Sequence, residues 1–229
     1  MRVIVTGASK GIGRGIATVL AAHGHAVGLL ARSEDELRRL AAEMTGVYVA
    51  ADLRSFDQTR TAIDSLIQQL GGVDALVNNA GIVIRRSTLD ISLDDWHAMI
   101  ETNINGVFYA TRCVLPHLVK QGRGHIVNVS SVSGYMPLAD GAGYAATKHA
   151  VTGFSESLMQ EVRQQGVKVT TIFPGSVDTQ SHRHDPTADH SWKVQPEEVG
   201  EAVAAALATR DQTLISRIEI RPAKPPARG

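Results

Sequence analysis

The chain has 229 residues, 43% of them hydrophobic and 20% charged, which is ordinary for a globular protein and long enough for a substantial core. Lys plus Arg and Asp plus Glu number 23 each, so no net field draws the chain to nucleic acid or an anionic membrane surface. One cysteine, Cys113, excludes an internal disulfide, no apolar stretch reaches membrane-spanning length, and a strand-like run from Arg2 leaves no room for a signal peptide, so a cytoplasmic protein is expected.

Short β-branched or apolar runs alternate with longer segments of helical period. Strands are predicted over 2–6, 26–31, 47–51, 74–78, 125–130, 168–173 and 214–220, and helices over 12–22, 34–43, 55–70, 93–121, 144–165 and 196–209. Most strand runs are continuously apolar, the pattern of a parallel sheet covered on both faces. Ser33 followed by Glu36 makes a capping box, Gly24 and Gly166 stand where helix C-terminal glycines belong, and Pro196 suits a first helical turn. Cys113, inside a helical segment, reads as a small core residue. The alternation predicts an α/β fold: a doubly wound, mostly parallel seven-stranded sheet with right-handed crossovers and helices on both faces. No linker or repeat interrupts residues 1–229, so a single domain is expected, with 221–229 as a loose tail.

Two stretches break this rhythm. Segment 131–143 is rich in Ser, Gly and Ala, and segment 175–195 is polar and without periodicity. Both should emerge at the carboxyl ends of strands, where ligands bind in such folds. Loops of this length are either disordered or functional lids. The irregular spacing of His182, His184 and His190 suggests solvated side chains and no metal site. Trp192 either closes over a substrate or anchors the loop's return to the sheet.

Thr6-Gly7-Ala8-Ser9-Lys10-Gly11-Ile12-Gly13 follows the first strand and opens the first helix. Such glycines allow a tight turn and bring backbone N–H groups close to a pyrophosphate at the helix N-terminus; the alternative is a turn that only packs helix on strand. An NAD site would place a carboxylate about 20 residues on. The chain instead has Ala31-Arg32-Ser33 there, and Arg32, with Lys10 nearby, suits a 2′-phosphate, which favours NADP over NAD. Arg32 as a solvated surface residue is the competing reading.

Tyr144 and Lys148 lie four residues apart, so a helix sets them on one face, and Ser131 lies 13 residues upstream of the tyrosine. A cation beside a phenol lowers its pKa from roughly 10 toward neutrality, as general acid/base work on carbonyls and alcohols requires. Most such pairs are plain helix surface, so the weight comes from their company.

Thr6 to Gly13, Asn78-Asn79-Ala80-Gly81, Asn103, Ser131, Tyr144, Lys148 and Pro174-Gly175 occur in an order and spacing that resembles the short-chain dehydrogenase/reductase family over roughly residues 1–210. The resemblance implies a single Rossmann-type domain and a catalytic tetrad of Asn103, Ser131, Tyr144 and Lys148. Ser131 would polarise the substrate oxygen, Tyr144 would donate the proton, Lys148 would hold the nicotinamide ribose and tune the tyrosine, and Asn103 would anchor a water that relays protons. The implied cofactor residues are Gly7, Ser9, Lys10, Gly11, Ile12, Gly13, Arg32, Asp52, Leu53, Asn79, Ala80, Gly81, Tyr144, Lys148, Pro174, Gly175, Val177 and Thr179. Asp52 would meet the adenine amine; as a helix N-cap it has a second reading. The final strand, Leu214 to Pro222, lacks the Asp-Gly-Gly that often closes such chains and is similar to members acting on small hydroxy acids and alcohols, unlike the fatty-acid-synthesis reductases. The expected activity is NADP(H)-dependent interconversion of a carbonyl and an alcohol by a homo-oligomer, dimer or tetramer, without metal. The alternatives are a dinucleotide-binding sensor without turnover and an NAD-preferring alcohol or hydroxy-acid dehydrogenase.

Overall fold

A strand that is apolar on both faces is stable only between two layers, and both layers are present. The computed structural model describes residues 1–179, 187 and 189–225. In chain order the elements are β1 (Arg2–Thr6), α1 (Gly11–Ala22), β2 (Ala26–Ala31), α2 (Glu34–Met44), β3 (Val47–Ala50), α3 (Phe56–Leu70), β4 (Ala75–Asn78), α4 (Leu93–Ile100), a π-helical turn (Glu101–Asn105), α5 (Gly106–Lys120), β5 (Gly124–Val129), α6 (Ala142–Val162), β6 (Val167–Pro174), α7 (Pro196–Leu207) and β7 (Arg217–Ile220). The sheet has seven strands in the order β3-β2-β1-β4-β5-β6-β7, and every pairing is parallel, where a mostly parallel sheet was expected.

The core divides by face. Ile16 and Leu20 of α1, Leu37 of α2 and Val199 and Val203 of α7 pack on one side with Val3, Val5 and Leu29. Ile63 and Leu66 of α3, Val114 and Leu118 of α5 and Leu158 of α6 pack on the other with Ile4, Leu30 and Ile126. Neighbouring strand residues thus alternate between two cores, and burying each such side chain contributes about 1.5–3 kcal/mol. Cys113 sits at the rim of the second core and is only partly buried.

Some local signals are realised in the fold and others are not. Gly24 and Gly166 have φ of 79° and 77°, the left-handed conformation that glycine adopts without cost. Pro196 is in the first turn of α7, whose Gln195 N–H is met by the Glu198 carboxylate at 2.6 Å. Ser33, in contrast, makes no side-chain cap, so the expected box with Glu36 is absent; α2 is supported at its positive end by Glu34, Asp35 and Glu36. The helix expected over 93–121 is interrupted by the π-turn, because the Asn103 side chain is drawn onto the backbone of Ile82. The strand expected over 214–220 shortens to Arg217–Ile220, and the tail is not loose at its start, since Arg221 donates to the Tyr135 hydroxyl at 2.8 Å. Among the described residues no helix is long and apolar enough to cross a membrane.

His125 of β5 is 2% exposed and its Nε2 lies 2.7 Å from Thr170 Oγ1, which itself donates to the Ile215 carbonyl. Burial pushes this imidazole from 6.5 down to about 4, with the Lys168 charge adding to the effect. The unfolded chain therefore takes up a proton that the folded chain refuses, so stability falls as pH drops from 6.5 and levels off below about 4, by about 3 kcal/mol at most. His125→Gln, which keeps a donor for Thr170, should flatten this slope in urea unfolding followed across that window. Equal acid sensitivity of both proteins would refute it.

Candidate active site

The chain runs outward from β1 through β2 to β3, then crosses back to β4, so β1 and β4 part at a topological switch point. Thr6 ends β1 there. Its Oγ1 accepts from the N–H groups of Asn79 (3.0 Å) and Ala80 (3.1 Å) and donates to the Val77 carbonyl. Asn79 Nδ2 returns bonds to the carbonyls of Thr6 and Gly7 at 3.1 and 3.2 Å. Gly7 has φ of 64°, and a Cβ on it would lie 2.7 Å from Ala80 Cα; one on Gly13 would lie 2.2 Å from the Gly7 carbonyl oxygen. Close approach makes both glycines obligatory.

A cleft of about 850 Å³ opens at this point. The N-terminus of α1 faces it with no side-chain cap and no acidic residue in its first turn, which leaves its N–H groups and dipole available to an anion. Lys10 and Arg32 also line the cleft. Neither makes a hydrogen bond or ion pair among the described residues. This donor set fits a dinucleotide with a further phosphate. Asp52 lies beside Arg32 in the cleft lining. Arg54 grips its carboxylate with Nε at 2.9 Å and Nη2 at 2.6 Å and holds it below the usual carboxylate range, Arg32 adding to the effect. The N-cap of α3 is Ser55, so the capping role considered for Asp52 falls away.

At the far end of the cleft, α6 carries Tyr144 (9% exposed) and Lys148 (6%). Lys148 Nζ donates to the Val129 carbonyl at 2.9 Å and stands 5.9 Å from the Tyr144 ring centroid. Burial raises the Tyr144 phenol above its usual value, and hydrogen bonding with Ser131 only partly reverses this. The expected lowering by the lysine is therefore corrected. Burial pushes Lys148 itself down to about 8, so it is a weakened cation, and it is aimed at a carbonyl. Burial thus favours the proton-bearing form of the phenol and weakens the neighbouring ammonium's hold on its proton.

The two serines differ: Ser130 lines the cleft but is tied to α6, whereas Ser131, outside that lining, is the one bonded to Tyr144. Ser130 Oγ donates to the Lys148 carbonyl at 3.0 Å and meets Thr152 Oγ1, fastening β5 to α6. Ser131 caps the following 3-10 turn by accepting from the Ser133 N–H and bonds Tyr144. Asn103 spends its side chain on protein: Oδ1 accepts from Ile82 N–H at 2.8 Å, while Nδ2 donates to the Ile82 carbonyl at 2.9 Å and to Thr147 Oγ1 at 3.0 Å.

Of the expected cofactor residues, Gly7, Ser9, Lys10, Gly11, Ile12, Arg32, Asp52, Leu53, Asn79, Ala80, Gly81, Tyr144, Lys148 and Thr179 line the cleft. Gly13, Pro174, Gly175 and Val177 are absent from that lining. Gly13 packs behind the turn, Pro174 ends β6, Gly175 N–H bonds the Ile220 carbonyl, and Val177 bridges to Val194 and packs on the core. Residues missed in the sequence include Arg14, Thr18, Ile82, Thr102 and Asp178. Arg14 and Thr18 had a signal, since they lie one turn apart on α1 after the glycine turn. His190 is not solvated as expected: its Nδ1 lies 3.1 Å from Asp178 Oδ1 and its side chain is 13% exposed. His182 and His184 lie outside the described residues, among which no group of His, Cys, Asp or Glu is placed to hold a metal. Trp192 donates to the Asp189 carbonyl at 3.0 Å, which anchors a local turn.

Comparison with known proteins adds a family. A family model described as short chain dehydrogenase matches residues 1–189. An uncharacterized oxidoreductase of Staphylococcus aureus (strain MRSA252) is 35% identical over 223 residues, 96% of each chain. Among solved structures, an alcohol dehydrogenase from the archaeon Thermococcus sibiricus, complexed with 5-hydroxy-NADP, superposes with a TM-score of 0.92 at 28% identity over 100% of both chains. The closed form of a serine dehydrogenase complexed with NADP+ gives 0.90 at 32% identity, covering 100% of this chain and 98% of that one.

Seating of the 131–134 turn depends on Gly134, where a Cβ would lie 2.4 Å from Ser130 Oγ and 2.9 Å from the Lys148 carbonyl oxygen. Gly134→Ala should destabilise the fold by about 1–3 kcal/mol and push Ser131 off α6. Denaturant unfolding, with amide exchange at Ser131 to Gly134, checks this; unchanged stability and exchange would contradict the packing argument.

Proposed function

The chain belongs to the short-chain dehydrogenase family, and on that premise we propose that it is an NADP(H)-dependent oxidoreductase interconverting a small carbonyl compound and its alcohol. The observation that carries this reading is one cleft with Arg32 and Lys10 uncommitted at one end and the Tyr144 and Lys148 pair buried at the other. The NADP complexes of the serine dehydrogenase and the Thermococcus enzyme support the cofactor, and the names of the two enzymes support a small hydroxylated substrate.

Bound NADPH supplies the hydride. When it is bound, Lys10, Arg32 and the N–H groups of α1 would hold its phosphates, and Asp52, in the same lining, would be available to its adenine amine. Ser131 polarises the substrate oxygen through a hydrogen bond. Tyr144, kept protonated by burial, gives its proton to that oxygen as the alcohol forms. Lys148, lowered to about 8 by burial and 5.9 Å from the ring centroid, replenishes the phenol. Asn103 holds the cleft wall at Ile82 in register with this centre. Residues 1–229 act as one domain in the cytoplasm. The half-exposed Phe108 on α5, edge-on to Phe154 of α6, supports assembly as a dimer or tetramer of identical chains.

NADPH and NADH oxidation measured against a panel of aldehydes and ketones, with the reverse reaction on alcohols, tests the reading; tight NADPH binding without turnover on any of them would defeat it. Tyr144→Phe should lower kcat by about 10²–10⁴-fold and leave NADPH affinity nearly intact. Retained activity would remove Tyr144 as the acid. Arg32→Ala should weaken NADPH by about 10–100-fold, the loss of charge-assisted hydrogen bonds, and leave NADH nearly unaffected. Equal weakening of both would overturn the preference for NADP.

A further inference from the structure

Between the tyrosine and the lysine of α6 lies a wholly buried hydroxyl, that of Thr147, outside the lining of the cleft. Its Oγ1 accepts from Asn103 Nδ2 at 3.0 Å and donates to the carbonyl of Tyr144 at 2.8 Å. Asn103 in turn exchanges two hydrogen bonds with the backbone of Ile82, the residue after Gly81 in the cleft wall. A Cβ on Gly81 would lie 3.2 Å from Asn103 Oδ1 and 3.7 Å from Lys148 Nζ, so this wall abuts the same two side chains. One polar path therefore runs from the cleft wall through the π-turn to the peptide of Tyr144.

We propose that Thr147 is a positioning residue for the reaction, fixing the Tyr144 peptide against the cofactor-facing wall through Asn103. The proposal rests on the reading of Tyr144 as proton donor. Thr147 touches neither cleft nor phenol, so its action passes through its two partners. Valine has nearly the same shape and lacks both bonds, which leaves one Asn103 N–H without an acceptor in the interior. Asn103 then has reason to turn toward another partner, and the wall at Ile82 and the Tyr144 peptide lose their common anchor. Serine keeps the hydroxyl.

The test compares wild type, Thr147→Val and Thr147→Ser in NADPH-linked carbonyl reduction, with NADPH affinity from fluorescence titration. The valine variant should lose about tenfold or more in kcat, equivalent to about 1.4 kcal/mol, while the carbonyl KM and NADPH affinity hold within about twofold. Serine should restore most of kcat. Wild-type kcat in the valine variant overturns the proposal, and so does a joint loss of kcat and NADPH affinity that serine does not rescue. Should the valine variant not fold, Thr147→Ala removes the same bonds and is judged by the same criteria. A wild type that binds NADPH and reduces no carbonyl defeats the oxidoreductase reading instead. Thr147 is then decided by ultraviolet titration of Tyr144, isolated by difference from Tyr144→Phe: a midpoint displaced by valine and restored by serine upholds the role, and an unmoved midpoint ends it.

Discussion

An ammonium group folded into a protein interior needs partners, because an isolated buried charge costs many kcal/mol. Lys148 is such a group, and much of the site is arranged around it. Its Nζ meets the Val129 carbonyl at the end of β5, and its own carbonyl accepts from both Ser130 and Thr152. Strand end, turn and helix are thereby fixed to a single residue. Gly134 lets the turn come close enough, which is how Ser131 arrives beside Tyr144.

The same burial decides the protonation states. An ammonium next to a phenol suggests a tyrosine ready to ionise, but both groups are desolvated together, and desolvation favours the neutral form of each. Tyr144 is pushed up and Lys148 down to about 8. In the mechanism we propose, this makes Tyr144 the proton donor and Lys148 its reservoir.

Legibility in the sequence followed the range of the interactions. The strands could be read because a parallel sheet between two helical layers needs apolar residues in unbroken runs. Gly24 and Gly166 were readable because a left-handed residue after a helix is a local demand. The π-turn was not, since it exists to bring Asn103 to Ile82, 21 positions away. Ser33 had the right neighbour for a capping box and did not use it, whereas at α7 the Glu198 carboxylate reaches back to the Gln195 N–H from behind a less favoured cap residue. Motif spacing located Tyr144, Lys148 and Ser131 together. It also placed Gly13 and Val177 in the cofactor set; neither lines the cleft, Gly13 packing against the Gly7 carbonyl and Val177 against the core. Thr147 was hidden in plain view within Tyr144-Ala145-Ala146-Thr147-Lys148, because its role depends on which distant side chain meets it.

Val177 and Val194 form an isolated parallel bridge, with Asp178 N–H donating to the Val194 carbonyl at 2.8 Å and Val194 N–H to the Ser176 carbonyl at 3.1 Å. The described residues on either side of the segment between these valines are thereby held together at the frame. Such a pin fixes where Asp178 and Thr179 stand in the cleft lining, so this edge of the site is set by the frame itself.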